Sequence, residues 1–368
     1  MTRNIVLCCD GTANEFAAHQ TNVIKLFYAL EHGLPEQLSW YHPGLGTMEP
    51  PGALTGFAKR ITKLLGKAFG YGLEADVRDA YVFLMNTFQP GDRVFLFGFS
   101  RGAYTVRVVA SLLHMYGLLP KGSDQLAAYA IRMLTAENSD RFTLARQFKE
   151  TFSTVCKPWF VGVWDTVSSV GWISHPLAVP FTANNPDIEN GRQAISIDEH
   201  RAFFRDNLWR LPLASPGVPV APDARPKDLK QVWFPGVHCD VGGGYAEAES
   251  GLAKVALQWM LAEAHSRELL LNKQRSDLVL GNSGGGYVKP DPTAQAHESL
   301  TPAWWLAEFT PKKQFNYESR TSSCRMNLFR RRKFPQAPNI HSSAYQRGAA
   351  YQNRLPTDAV RVDSLPLP

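Results

Sequence analysis

A serine held between two glycines, an aspartate closing one apolar run and a histidine just beyond another could together carry out acyl transfer. They are Ser100 within Gly98-Phe99-Ser100-Arg101-Gly102, Asp165 after Trp159-Phe160-Val161-Gly162-Val163-Trp164, and His238 beyond Gln231-Val232-Trp233-Phe234. A serine hydroxyl is a poor nucleophile until a base takes its proton, and the base needs a carboxylate to fix its tautomer. Ser100 is the expected nucleophile, His238 the base and Asp165 the orienting carboxylate. Their order along the chain suits a site in which all three gather at the carboxyl edge of one sheet.

The pentapeptide stands where Arg93-Val94-Phe95-Leu96-Phe97 reads as a strand and Ala103 to Ala110 as a helix. Such a turn forces the serine into strained backbone, and flanking glycines let the chain bend there. A second copy, Gly281-Asn282-Ser283-Gly284-Gly285, leads into Pro290 and Pro292, which bar a helix, so Ser283 is not expected to react. The anion formed in acyl transfer needs two donors. The Arg101 amide, opening the following helix, is one. Gly11 or Thr12, in the loop after the first strand, is the other, with Asp10 holding that loop by side-chain hydrogen bonds. Asp187, Asp198 and Asp240 compete with Asp165 but follow no apolar strand, and Asp240 is assigned to support the glycine-rich loop Gly236 to Tyr245 around His238. His42 and His114 compete with His238. Asp10, Asp165 and Asp240 could instead gather around a divalent metal, which would leave Ser100 and His238 without a role; no metal and no cofactor is expected.

To bring these residues together the chain must alternate strands and helices. Apolar runs and turn signals give strands near 4–9, 38–42, 93–98, 159–164 and 231–234, and helices near 22–31, 73–88, 102–116, 124–136, 140–152 and 251–265. Alternation predicts an α/β fold: an α/β-hydrolase-like, mostly parallel sheet with helices on both faces. Residues 1–270 form the expected catalytic domain. The proline-rich stretch 172–226 breaks the rhythm and is expected to be an inserted cap or lid over the carboxyl edge. Residues 271–368 are expected to be an irregular extension packed on the domain.

The 368 residues are 44% hydrophobic and 20% charged, an ordinary folded composition. No apolar run reaches ~18 residues, so no transmembrane helix is expected, and Ile5 to Cys9 is too short for a signal peptide. The chain is expected to be cytoplasmic as synthesised, with export by a route that needs no signal peptide left open. Five cysteines, two of them adjacent at Cys8 and Cys9, argue against a disulfide framework. The net charge of +6 is concentrated at Arg330-Arg331-Arg332-Lys333. That run suits anionic lipid or nucleic acid, but no nucleic-acid module surrounds it. A solvated turn is the favoured reading, and nucleic acid is not an expected partner. The helix near 57–69 has one apolar and one basic face, which fits peripheral membrane contact and packing on its own core equally well. Phosphate-loop and dinucleotide fingerprints are absent.

Five pieces of the chain, in order, resemble the domain of unknown function 2235 family, the α/β hydrolase catalytic domain of type VI secretion phospholipase effectors. They are Cys9 to Asn14, Tyr41 to Thr47, Gly98 to Tyr104, Gly162 to Val167 and Trp233 to Tyr245, spanning about residues 4 to 265. The resemblance implies Ser100, Asp165 and His238 as the triad, and hydrolysis of glycerophospholipid acyl esters as the activity. An esterase acting on a soluble ester and a catalytically idle binding module are the alternatives on the same fold.

Overall fold

The computed structural model describes residues 2–11, 19–44, 68–136, 140–167, 171–172, 175–176, 179–210, 226–300, 304–305, 308–316 and 321–367. The expected helix near 57–69 falls almost wholly outside them, as does Thr12.

Eight strands make one sheet in which every neighbouring pair runs parallel. They are β1 (Asn4–Cys9), β2 (Gln37–His42), β3 (Arg93–Phe99), β4 (Pro158–Trp164), β5 (Asn190–Ser196), β6 (Asp228–Phe234), β7 (Asn339–His341) and β8 (Val360–Val362). The spatial order is β8-β7-β6-β5-β4-β3-β1-β2. Parallel strands need crossovers, and helices supply most of them. Among the described residues those between the strands include α1 (Asn22–Ala29), α2 (Ala68–Thr87), α3 (Arg101–Tyr116), α4 (Asp124–Thr135), α5 (Arg141–Phe152), α6 (His238–Gly242), α7 (Gly251–His265), α8 (Lys273–Val279) and the short α9 (Ala349–Gln352).

Alternation along β1 shows how the layers form. Ile5, Leu7 and Cys9 join one apolar cluster with Val77, Tyr81 and Leu84 of α2, Val106 and Val109 of α3, and Ala127 of α4. Val6 and Cys8 join the opposite cluster with Val23 and Leu26 of α1 and Ala256 and Trp259 of α7. Each fully buried aromatic or branched side chain contributes about 2–3 kcal/mol. The sheet is therefore covered on both faces, as the alternating sequence predicts.

Strand β1 lies between β2 and β3, so the chain steps one way from β1 to β2 and the other way from β3 onward. Such a reversal opens a crevice at the carboxyl ends of the two strands beside it. Asp10 and Gly11 follow β1, and Ser100 follows β3.

Two segments depart from the expected pattern. The stretch expected as an inserted cap contributes β5, a seven-residue strand in the middle of the sheet with every residue buried. Its sequence, Asn190-Gly191-Arg192-Gln193-Ala194-Ile195-Ser196, shows no apolar alternation, and each of its polar side chains makes at least one hydrogen bond in place. Asn190 Nδ2 donates to Trp159 O at 2.8 Å, and Gln193 Nε2 to Asn207 O at 3.1 Å. Arg192 donates to Glu263 and, at 2.7 Å, to Asp228. Of the rest of 172–226, residues 173–174, 177–178 and 211–225 lie outside the described residues. The C-terminal segment does more than pack on the domain, since β7 pairs with β6 and β8 with β7 to extend the sheet.

Candidate active site

The elbow forms because two glycines accept contacts no side chain could. A Cβ on Gly98 would lie 2.5 Å from the carbonyl of Gly102, and one on Gly102 would lie 2.1 Å from the carbonyl oxygen of Cys9. This closeness lets α3 start against the end of β1. Between the glycines Ser100 is held at φ 58° and ψ −116°. For a residue with a Cβ that conformation costs on the order of 1–3 kcal/mol, and active sites are where such strain is retained. The Ser100 amide donates to Trp164 O at 3.1 Å, tying the elbow to the end of β4. Ser283, by contrast, sits on an exposed turn with no helix after it.

Asp165 follows β4 directly and is also left-handed, at φ 39°. Its amide donates to Ala194 O at 2.8 Å on β5. Its buried carboxylate accepts from His238 Nδ1 at 2.6 Å, from the Ser196 amide at 2.9 Å and from Ser196 Oγ at 3.0 Å. An ionised carboxylate only accepts, so Nδ1 carries the proton and Nε2 is the free base position. Arg332 completes the cage, with its guanidinium spanning both oxygens at 2.5 and 3.0 Å. Burial alone would raise the Asp165 pKa; Arg332 and His238 outweigh it and hold the carboxyl well below the ordinary range. Burial works against the charge of Arg332 too, and Asp165 outweighs it, so the pair stays ionised.

His238 opens α6 and is fully enclosed. Burial lowers its pKa, against a raising effect from the hydrogen-bonded Asp165. Its ring packs on Phe99, the residue before Ser100, at 4.6 Å between centroids, and edge-on to Phe204 at 4.8 Å. Among the described residues no hydrogen bond joins Ser100 Oγ to His238. In sites of this kind that bond often tightens only with substrate in place.

The loop carrying His238 is fixed by carboxylates. Asp240 accepts from the Val237 amide at 3.0 Å and from His297 Nδ1 at 2.6 Å. Glu199 accepts from the His238 amide at 3.2 Å and pairs with Arg201; burial would raise its pKa, but the Arg201 hydrogen bond and charge prevail and bring it to about 2. Asp198 accepts from the Gly236 amide at 2.8 Å. Asp10 accepts from Tyr41 Oη at 3.0 Å and Thr21 Oγ1 at 2.5 Å. It also takes the Gly11 amide, at 2.7 Å from Oδ1, which turns that donor away from the oxyanion role assigned to it. Each of Asp10, Asp165 and Asp240 is thus committed to its own donors, and among the described residues no group of three or more such side chains is arranged to hold a metal.

Asp165 and His238 therefore meet at the ends of β4 and β6, Ser100 follows β3 next to the Phe99 ring that packs on His238, and Arg101 opens α3. Sequence reasoning missed Ser196, Glu199 and Arg332. The basic run is only partly a solvated turn: Arg330, Arg331 and Lys333 are exposed, but the side chain of Arg332 is drawn in by a carboxylate that no pattern near it announces.

Residues 3–263 match the family described as T6SS, phospholipase effector Tle1-like, catalytic domain. The chain belongs to this Tle1-like family. It is similar to an uncharacterized protein of Saccharomyces cerevisiae, 37% identical over 220 residues that make up 55% of this chain and 32% of that protein. A crystal structure of an uncharacterized Pseudomonas aeruginosa protein is similar at 20% identity and a TM-score of 0.47, over 78% of this chain and 49% of that one. The Tle1 effector bound to the VgrG spike of the type 6 secretion system is similar at 19% identity and a TM-score of 0.36, over 68% and 52%. The chain thus spans about a third of the curated relative and about half of each solved one. Among the described residues no helix is long and apolar enough to cross a membrane.

Proposed function

We propose that the protein is a serine carboxylester hydrolase that releases fatty acid from phospholipid through an acyl-enzyme. The observation that carries this reading is a serine at positive φ on a strand-to-helix turn, with the preceding Phe99 ring packed on a buried histidine whose Nδ1 lies 2.6 Å from a charged carboxylate. Ser100 Oγ attacks the ester carbonyl, and its proton passes to His238 Nε2. Asp165 keeps the imidazole in the tautomer that can accept it and stabilises the imidazolium. The proton then goes to the departing alcohol, and water repeats the sequence in reverse to free the fatty acid. The Arg101 amide at the start of α3 holds the oxyanion. A second donor comes from the loop after β1, where either Thr12 serves or the Gly11 amide leaves Asp10.

A lipid substrate is favoured over a soluble ester by the surface beside the site. The turn 327–330 presents Leu328 and Phe329 exposed and left-handed, at φ 51° and 58°. Buried Glu308 pins that turn, accepting from the Phe329 amide at 2.9 Å and from Asn327 Nδ2 at 2.6 Å. Trp305 and Phe309 pack on Phe329 and are half exposed, and Arg330 and Arg331 stand alongside. Apolar groups ringed by arginine suit an anionic lipid surface.

Two measurements test the proposal. A fluorophosphonate should label Ser100, and Ser100→Ala should lose at least ~10³-fold in fatty-acid release; wild-type turnover by that variant would overturn it. Phe329→Ser should weaken hydrolysis of anionic phospholipid vesicles while leaving a short soluble ester unaffected. Equal loss on both substrates would remove the lipid-surface reading and leave the esterase.

A further inference from the structure

We propose that Arg332 is a positioning residue of the triad, and that through it the C-terminal segment sets both the geometry and the working pH of the site. The proposal rests on the reading of Ser100, Asp165 and His238 as the catalytic triad. Arg332 itself lies outside the residues that match the family.

The arrangement is more than an ion pair. Arg332 Nη1 and Nη2 take one carboxylate oxygen each, so the fork fixes the plane of the carboxylate as well as its place. The same guanidinium donates to Ser196 Oγ at 2.7 Å and, through Nε, to Phe204 O at 3.1 Å. Ser196 Oγ in turn donates to Asp165, and the Phe204 ring lies against His238. Arg332 therefore holds the carboxylate directly and both of its flanks indirectly. With its side chain 3% exposed, it has almost no other partner to turn to.

The electrostatic effect has a definite sign. Asp165 favours the imidazolium of His238, whereas a permanent cation on the same carboxylate disfavours it. Arg201 also disfavours it, and Glu199 favours it. Asp206 and Glu199 face Arg332 and retain it in the charged form. Removing the guanidinium should therefore raise the pKa of His238, and the base would be lost to protonation at a higher pH. Arg332 thus trades some stabilisation of the imidazolium for an imidazole that remains neutral, and able to accept the serine proton, in mildly acid surroundings.

The experiment compares wild type, Arg332→Met and Arg332→Lys in the full chain, with active sites counted by fluorophosphonate and the labelled residue identified by mass spectrometry. For Arg332→Met the acid limb of kcat/KM should move up by about one pH unit. Its kcat per labelled site should fall about 10- to 100-fold with KM little changed. Arg332→Lys, which keeps the charge but not the fork, should return the acid limb toward the wild-type position while recovering kcat only in part. A role confined to folding would reduce the number of labelled sites and leave both quantities unmoved per site, and that result overturns the proposal. If Arg332→Met superimposes on wild type while Ser100 is labelled, the assignment of Arg332 fails and the triad stands. If wild-type Ser100 is not labelled, the triad reading fails and the role of Arg332 with it.

Discussion

Strands β3 and β5 lie on either side of β4 and are almost equally buried, yet they are built from opposite materials. β3 is Val-Phe-Leu-Phe after its first residue, and its side chains fill apolar clusters on both faces of the sheet. β5 carries Asn190, Arg192, Gln193 and Ser196, and holds its place by giving each of them a partner. The two also divide the work of the proposed site: β3 runs directly into Ser100, the proposed nucleophile, and β5 ends on a serine that donates to the Asp165 carboxylate. An apolar strand can carry a strained, exposed turn because its own burial is nonspecific and plentiful. A polar strand fixes position more exactly, because a displaced partner leaves a buried group unpaired.

The largest test of this contrast is at the end of β3. Gly98→Ala places a methyl group 2.5 Å from the backbone of Gly102, where neither chain can yield. It should destabilise the protein by more than about 4 kcal/mol, read by denaturant unfolding. A stable Gly98→Ala protein would mean that the elbow is less tightly built than described.

Next comes the charge pair that anchors β5. Arg192→Met leaves Glu263 buried with Lys230 as its remaining cation, and should cost about 3 kcal/mol. The double variant Arg192→Met, Glu263→Leu should regain most of that loss. If it regains nothing, β5 is held by packing in the same way as β3, and the contrast is lost. The smallest expected effect is that of Ser196→Ala, which removes one of several donors to Asp165 and should cost about 1 kcal/mol in unfolding experiments.

The same contrast governs what could be seen in the sequence. The elbow, its strand and its helix were legible because apolar runs interrupted by glycine have a local cause. Asp165 and His238 were legible because each closes or follows such a run. β5 was hidden because pairing with Glu263, Asp228, Trp159 and Asn207 replaces hydrophobicity with contacts distant in sequence. Arg332 was hidden for the same reason: beside Arg330, Arg331 and Lys333 it carries no mark of its own, and its carboxylate is 167 positions away. The turn of the Gly11 amide onto Asp10 was equally illegible, since either orientation fits the same residues.

That separation of 167 positions also bears on when the site comes into being. A chain growing from its N-terminus brings out Ser100, Asp165 and His238 long before residue 332 appears. Closing so long a loop adds little entropic cost beyond that of a shorter one, but contacts of such range form late in folding. The carboxylate would spend the whole of that interval without its clamp. A nascent chain, or one clipped ahead of residue 332, would then hold Ser100, Asp165 and His238 in an unfinished setting, and the proposed site would be complete only once Arg332 is in place.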